Sequence, residues 1–318
     1  MCINNTNPLS GYQSPLTDIF NAVTSTAVPF FFLTSGFLLG KKMVYPNGIS
    51  DLSVIKNQLL KILKWYIIWS AVYMPLAVYD YIRSGDSAIK CIFLYLRGLL
   101  LQGQHYNSWL LWYLLSTIYA LLLIYFLLRK KVLLKNIVLL SAGLYMIGVS
   151  MDWLVLQNTL PDIFMMLARA IKKTFLTGGL FKGIFYISVG LLLANKNIER
   201  LRNKGAWLLL AAGFSVKCLL TNEIAASFVI PVYAIALFLI LIQSNMKDSP
   251  RYVVARNISM VVYFIHMYIW TFYYSLVYKQ KTYGLDSFLV TAIVFFLVAV
   301  VYLYIRSNKQ IIKSKVQS

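Results

Sequence analysis

The sequence predicts an all-α fold, a polytopic transmembrane bundle of about nine helices, and three observations carry that reading. Sixty per cent of the 318 residues are hydrophobic and only 13% are charged, against roughly 25% charged in an ordinary soluble domain. The mean hydropathy is +0.70. A soluble fold of this length could not hide so much apolar surface, whereas lipid can act as its solvent. The third observation is the arrangement of basic clusters between apolar runs.

A bilayer core needs about 20 apolar residues per helix. Nine segments qualify, in order: Phe20–Gly40, Leu63–Tyr81, Trp109–Leu128, Ile137–Leu156, Gly179–Ala194, Trp207–Leu220, Ile224–Gln243, Ser259–Tyr278 and Ser287–Ile305. The fifth and sixth are short. Ala88–Leu101 and Ile163–Leu176 are interrupted by charge, and so read as amphipathic or re-entrant pieces beside the membrane. Neither an inverted repeat nor a linker divides the chain, so residues 1–318 read as one membrane domain.

The formal net charge is +20. One alternating set of connections holds Lys41, Lys42, Lys56, Lys61, Lys64, Arg129–Lys131, Lys135, Lys196, Arg200, Arg202, Lys204, Lys247, Arg251, Arg256 and the basic tail from Arg306 to Lys315. The other set holds only Arg83, Lys90, Arg97, Arg169, Lys172, Lys173, Lys279 and Lys281. The positive-inside rule assigns the richer set to the cytoplasm. The amino terminus is then outside and the carboxyl terminus inside. The first 40 residues carry no Lys or Arg, and no signal-peptide pattern accounts for them. An uncharged start on the far side also fits a protein with one more helix in front. Because the bases sit between apolar runs, they face anionic lipid; nothing provides a stacking platform or motif for nucleic acid.

The stretch AVPFFFLTSGFLLGKK, Ala27–Lys42, is not a phosphate loop. Gly36 and Gly40 are separated by three residues rather than four, and Lys42 stands where a hydroxyl is needed. The two glycines offer a small face for close helix packing. Thr34 and Ser35 can bond back to the helix backbone, and Lys41 and Lys42 mark an interfacial edge.

Ionisable groups inside apolar segments are costly, about 2.5–3.5 kcal/mol at the bilayer centre, and are functional candidates by default. His266 lies within the eighth segment, Lys217 within the sixth, Lys182 near the start of the fifth and Asp152 near the end of the fourth. His105 precedes the third. Either histidine can take and return a proton near neutral pH; the plainer readings are a ring bonded to a helix for His266 and an interfacial ring for His105. Lys217 and Lys182 are expected to snorkel. In IKNQLLKILKW, Lys56, Lys61 and Lys64 sit beside the inner leaflet, with Lys61 and Lys64 on one helix face. They suit lipid phosphates or a phosphorylated donor such as a coenzyme A. The aromatics, Trp109–Tyr113 among them, form an interfacial belt that could also stack a sugar. Three scattered cysteines and two histidines give neither a disulfide framework nor a metal site.

Four pieces in this order carry a family resemblance: AVPFFFLTSGFLL, IKNQLLKILKWYIIW, SWLLWYLLSTIYALLL and MVVYFIHMYIW. Together they resemble the acyltransferase-3 family of integral membrane O-acyltransferases over nearly the whole chain. The resemblance implies about ten transmembrane helices and transfer of an acyl group, often acetyl from acetyl-CoA. The acceptor would be a hydroxyl of an extracytoplasmic glycan, peptidoglycan or small molecule. It places Lys56, Lys61 and Lys64 on the donor side and matches His266 to the family's late histidine. The family's first helix carries an arginine and a histidine regarded as the catalytic base, and neither is present in this chain. The opening stretch corresponds to the family's second helix. Either the reading frame begins downstream of its true start, or this is a degenerate or repurposed member.

The sequence therefore leads to a membrane O-acyltransferase, an O-acetyltransferase by preference, in a bacterial plasma membrane. Its expected donor is acetyl-CoA, without a metal, and its partners are membrane lipid and a cell-envelope glycan. His266 and His105 are the remaining candidates for proton transfer, and Ser35, Trp109 and Trp112 for lining the substrate path. Two alternatives stand beside it: a non-catalytic transport or sensing module, and a glycan flippase or polymerase.

Overall fold

The computed structural model describes residues 8–9, 15–43, 49–104, 110–158, 161–172, 179–195, 203–220, 223–244, 249–279 and 284–316. Every regular element among them is a helix. In chain order these are α1 (Pro15–Ser25), α2 (Ala27–Gly40), α3 (Ile49–Ser84), α4 (Ala88–Arg97), α5 (Leu111–Arg129), α6 (Leu134–Gln157), α7 (Asp162–Ile171), α8 (Leu180–Asn195), α9 (Asn203–Leu219), α10 (Glu223–Gln243), α11 (Pro250–Val277) and α12 (Leu285–Val316). All nine apolar segments are helical. Six helical stretches among the described residues are long and apolar enough to cross a membrane, and Leu180–Ala194, Gly205–Leu219 and Leu285–Val301 form shorter apolar helices. The protein is therefore a multi-pass, all-helical membrane protein. The count of nine crossings and the orientation rest on hydropathy and charge pattern.

Two boundaries differ from the apolar pattern, each for a physical reason. The first segment is two helices, with Thr26 in a turn between them. Pro29 has no N–H to give the carbonyl of Ser25 four residues back, and its ring crowds that carbonyl, so the ladder breaks there. The second segment is the later part of a 36-residue helix, α3, which also takes in the basic run. Lysine is a good helix former, so nothing stops the helix at the membrane edge. The two charge-interrupted pieces are short helices: α7, and α4 extended by an i→i+5 turn over Gly98–Gln102 that Gly103 N–H closes on the Gly98 carbonyl at 2.7 Å.

The chain forms two compact units, Asp18–Asn245 and Met246–Ser318 with Met1–Thr17. In the larger unit, α2 packs most extensively on α8, and both crossing faces are made of glycine. A side-chain carbon on Gly36 would run into the Ile187 carbonyl, and one on Gly190 into the Leu33 carbonyl. One on Gly40 would lie 2.6 Å from Ala194 Cβ. The small face expected of Gly36 and Gly40 is thus met by a small face on the partner, which lets two backbones touch. The register rises together on both helices, Phe32 against Gly183, Gly36 against Ile187, Gly40 against Ala194, so α2 and α8 are parallel. By contrast α6 runs antiparallel to α8, with Gly148 against Phe181 and Tyr145 against Phe185. Phe32, Leu33, Ile124, Tyr186 and Ile187 centre the core of this unit. In the smaller unit α11 packs on α12, and Asp286 accepts hydrogen bonds from Tyr278 (2.6 Å) and Tyr273 (3.1 Å), tying the two helices across their connection.

Candidate functional site

The candidate site is built where α2, α5 and α8 meet. Ser35 and the Tyr113 hydroxyl share a hydrogen bond of 2.8 Å, and Tyr113 also reaches the Phe31 carbonyl at 3.3 Å. Phe32 is fully buried between the rings of Tyr113 and Trp112, with centroids 4.6 and 5.9 Å away. Below Trp112 lies Gly179, in the left-handed region at φ 61°, a conformation that costs glycine little. A side chain there would collide with the indole ring. Ser116 donates to the Gly179 carbonyl at 3.1 Å, which fixes the start of α8 against α5.

Gly179 is shared with a recess of about 20 Å³ lined by Tyr145, Gly148, Val149, Asp152, Phe181 and Lys182. That is room for about one water. Asp152 is held by Lys172 at 2.9 Å. Hydroxyls, an amide backbone, an exposed lysine and a paired carboxylate therefore gather along one aromatic wall.

The sequence-selected residues divide as follows. Ser35 and Trp112 come together on this wall. Ser35 was expected to bond back to its own helix; only Thr34 does so, to the Phe30 carbonyl at 2.8 Å, while Ser35 reaches across to Tyr113. His105 and Trp109 lie outside the described residues. Lys56, Lys61 and Lys64 are all exposed on the first half of α3. His266, on α11 of the smaller unit, is 1% exposed, and its Nδ1 lies 3.0 Å from the Val262 carbonyl. A carbonyl only accepts, so in that bond Nδ1 carries the proton and Nε2 is the basic nitrogen. Lys182 is exposed as expected, but Lys217 is only 5% exposed and so is buried rather than snorkelled. Among the described residues no group of His, Cys, Asp and Glu could hold a metal, and Cys91 and Cys218 are free thiols.

Tyr113 and Ser116 were not singled out by sequence reasoning. Both lie in the aromatic run SWLLWYLLSTIY that belt statistics explain equally well, and only a partner on another helix separates them from their neighbours.

Comparison with known proteins places the chain. The acyltransferase domain family matches residues 2–306. A serine/alanine racemase of Enterococcus gallinarum is 28% identical over 200 residues, 61% of this chain and 27% of that protein. An amino-acid racemase of Enterococcus faecalis is 27% identical over 202 residues, 62% of this chain and again 27% of that protein. The chain thus matches about a quarter of the length of these curated relatives. No solved structure matches it. With the family match running through the basic start of α3, the glycine crossing and the late histidine helix, the chain belongs to the acyltransferase-3 family of membrane proteins.

Proposed function

We propose that this protein is a membrane O-acyltransferase that carries an acyl group, acetyl by preference, from cytoplasmic acyl-CoA to a hydroxyl of an extracytoplasmic glycan or cell-envelope polymer. The reading also sets it in a bacterial plasma membrane. The observation that carries it is the family match over residues 2–306. The exposed lysines of α3 and the hydroxyl-bearing aromatic wall of α2, α5 and α8 support the division into donor and acceptor ends.

In this reaction the acceptor oxygen attacks the thioester carbonyl, its proton passes to a base, and coenzyme A leaves as the thiol. The lysines would offset the donor's phosphates. Ser35, Tyr113 and Trp112 would position the acceptor; His266 and His105 are kept, each by itself, as candidates for a proton-transfer role. The test is incubation of membranes containing the protein with labelled acetyl-CoA. Label in a glycan or envelope fraction is the expected result. No incorporation, by this chain or by an upstream-extended form, overturns the proposal.

A second reading is favoured by the relatives' names. Two proteins described as racemases of amino acids contain a segment like this membrane domain as a minor part of their length. The domain would then be a transport or sensing module for a small amino acid. Uptake of labelled serine or alanine by cells producing the protein, without acyl transfer, would select it.

A further inference from the structure

We propose that the recess between the end of α6 and the start of α8 is a carboxylate subsite, with Lys182 as the residue that selects an acidic acceptor. The recess holds about 20 Å³, room for about one oxygen atom of water size. Two of its lining residues, Gly148 of α6 and Gly179 before α8, have no side chain, which leaves the space open. Their neighbours stand close: a carbon added to Gly148 would lie 3.2 Å from the Phe181 ring, and one on Gly179 would strike the Trp112 indole.

Two charged residues line the recess, Asp152 and Lys182. Asp152 is already neutralised, because Lys172 next to the end of α7 pairs with it at 2.9 Å. Arg169, on the same turn of α7, donates to Asn158 Oδ1 at 2.7 Å and fastens α7 beside the end of α6. Lys182 is exposed and makes no ion pair among the described residues. The pair cancels and one cation is left over, so the recess complements a single negative charge. A neutral hydroxyl gains no such attraction, and an ammonium group meets repulsion from Lys182.

Size narrows the choice of anion. A planar carboxylate can seat one oxygen in a one-oxygen recess and leave the other to Lys182, whereas a tetrahedral phosphate is bulkier on every side. The side chains of Lys172 and Asp152 are 38% and 34% exposed, so the recess opens to solvent. By the charge pattern this end is extracytoplasmic, the side on which an envelope acceptor lies. The ligand class is therefore a sugar or polymer unit that bears a carboxylate. That this ligand is the acceptor rests on the acyl-transfer reading; that it is a carboxylate rests on the recess alone.

The test separates the two. Membranes containing the full chain are treated from outside with a membrane-impermeant amine reagent, and the modification rate at each lysine is read by mass spectrometry. D-Glucuronate at saturation is expected to slow modification of Lys182 about ten-fold and to leave Lys90, which is 59% exposed, unchanged. The neutral D-glucuronamide and glucose 6-phosphate should each protect less than about two-fold. Asp152→Asn removes the carboxylate and releases Lys172, so the half-protecting concentration of glucuronate should fall about three-fold or more; a purely structural Asp152 would not tighten binding when replaced. Equal protection by glucuronate and glucuronamide, or by neither, in the unaltered protein overturns the subsite, whether or not the variant folds. Protection by glucose 6-phosphate as strong as by glucuronate overturns the choice of a carboxylate.

A second arm uses labelled acetyl-CoA. The ratio of kcat/KM for a glucuronate-bearing over a glucuronamide-bearing acceptor should be about ten, and Lys182→Gln should bring it to about one. A ratio near one in the unaltered protein overturns the role in acceptor choice. Protection of Lys182 without transfer to any acceptor supports the subsite and removes the acyl-transfer reading.

Discussion

The Tyr145 hydroxyl donates at 2.7 Å to the carbonyl of Ser227, and that carbonyl is the one Pro231 cannot serve. Pro231 sits inside α10 four residues beyond Ser227 and has no N–H to close the turn. Within a membrane no water replaces the lost bond, so a neighbouring helix must. Tyr145 of α6 does so. Beside the break that Pro29 imposes, Tyr233 of α10 bonds both Ser25 Oγ (2.6 Å) and the Ala22 carbonyl (3.1 Å). Tyr145 thus serves the carbonyl that Pro231 leaves open, while Tyr233 clasps the turn that precedes Pro29.

Tyr145→Phe is accordingly expected to destabilise the protein by about 1–2 kcal/mol, because the Ser227 carbonyl loses this donor. In a Pro231→Ala background the restored N–H serves the same carbonyl, and the cost of Tyr145→Phe should fall to less than about half. Thermal unfolding of the four proteins of this cycle in detergent measures the coupling. Equal costs in both backgrounds would show that Tyr145 acts through packing alone.

The glycine crossing makes a sharper prediction. Gly36→Ala drives a methyl into the backbone carbonyl of Ile187, which a side-chain rotation cannot relieve. About 1–3 kcal/mol or more is expected from overpacking. Gly40→Ala meets the Ala194 methyl at 2.6 Å, so α2 and α8 must shift locally there and the loss should be smaller. Gly143→Ala has nothing within 4 Å and should be neutral or stabilising by up to about 1 kcal/mol, since alanine is the better helix former. Midpoints of thermal aggregation should therefore fall in the order Gly143→Ala, Gly40→Ala, Gly36→Ala.

How much of this was legible beforehand follows from which forces act along the chain and which act across it. Hydropathy is local, so all nine apolar segments could be read, as could the small face at Gly36 and Gly40. The partner of that face could not be read, because Gly183 and Gly190 lie some 150 positions away in a segment whose own pattern is only apolar. The break at Thr26 was within reach through Pro29 and the Thr24–Thr26 polar step, yet the apolar average of the segment concealed it. Lys217 misled because snorkelling depends on which neighbour covers the helix. Of the site, Ser35 and Trp112 could be nominated from motif and belt, while Tyr113 required knowing that α5 packs beside α2.

For the Ser35–Tyr113 pair, Ser35→Ala and Tyr113→Phe should each lower kcat/KM for the acceptor about ten-fold if the proposed reaction holds. The double variant should fall little further, since each change already disconnects the same pair. Initial rates with varied acceptor test this. Unchanged rates with a lowered unfolding midpoint would make the pair a helix clamp only.

The lysines of α3 separate donor binding from lipid anchoring. All three side chains are exposed, so their charge is available to either partner. If they meet acyl-CoA, replacing Lys56, Lys61 and Lys64 together by Gln should raise the donor's KM about ten-fold and leave kcat within about two-fold, because a long-range charge term binds ground and transition states alike. The dependence of KM on salt should also flatten, since screened attraction is what salt removes. Lys130→Gln with Lys131→Gln, at the exposed turn between α5 and α6, removes two cations from a position outside the run and serves as the control. If the α3 lysines only anchor the helix to lipid phosphates, both sets of variants should lower the amount of inserted protein and neither should move KM. Measuring KM for acetyl-CoA at low and high salt, normalised to protein in the membrane, decides between a donor seat and an anchor.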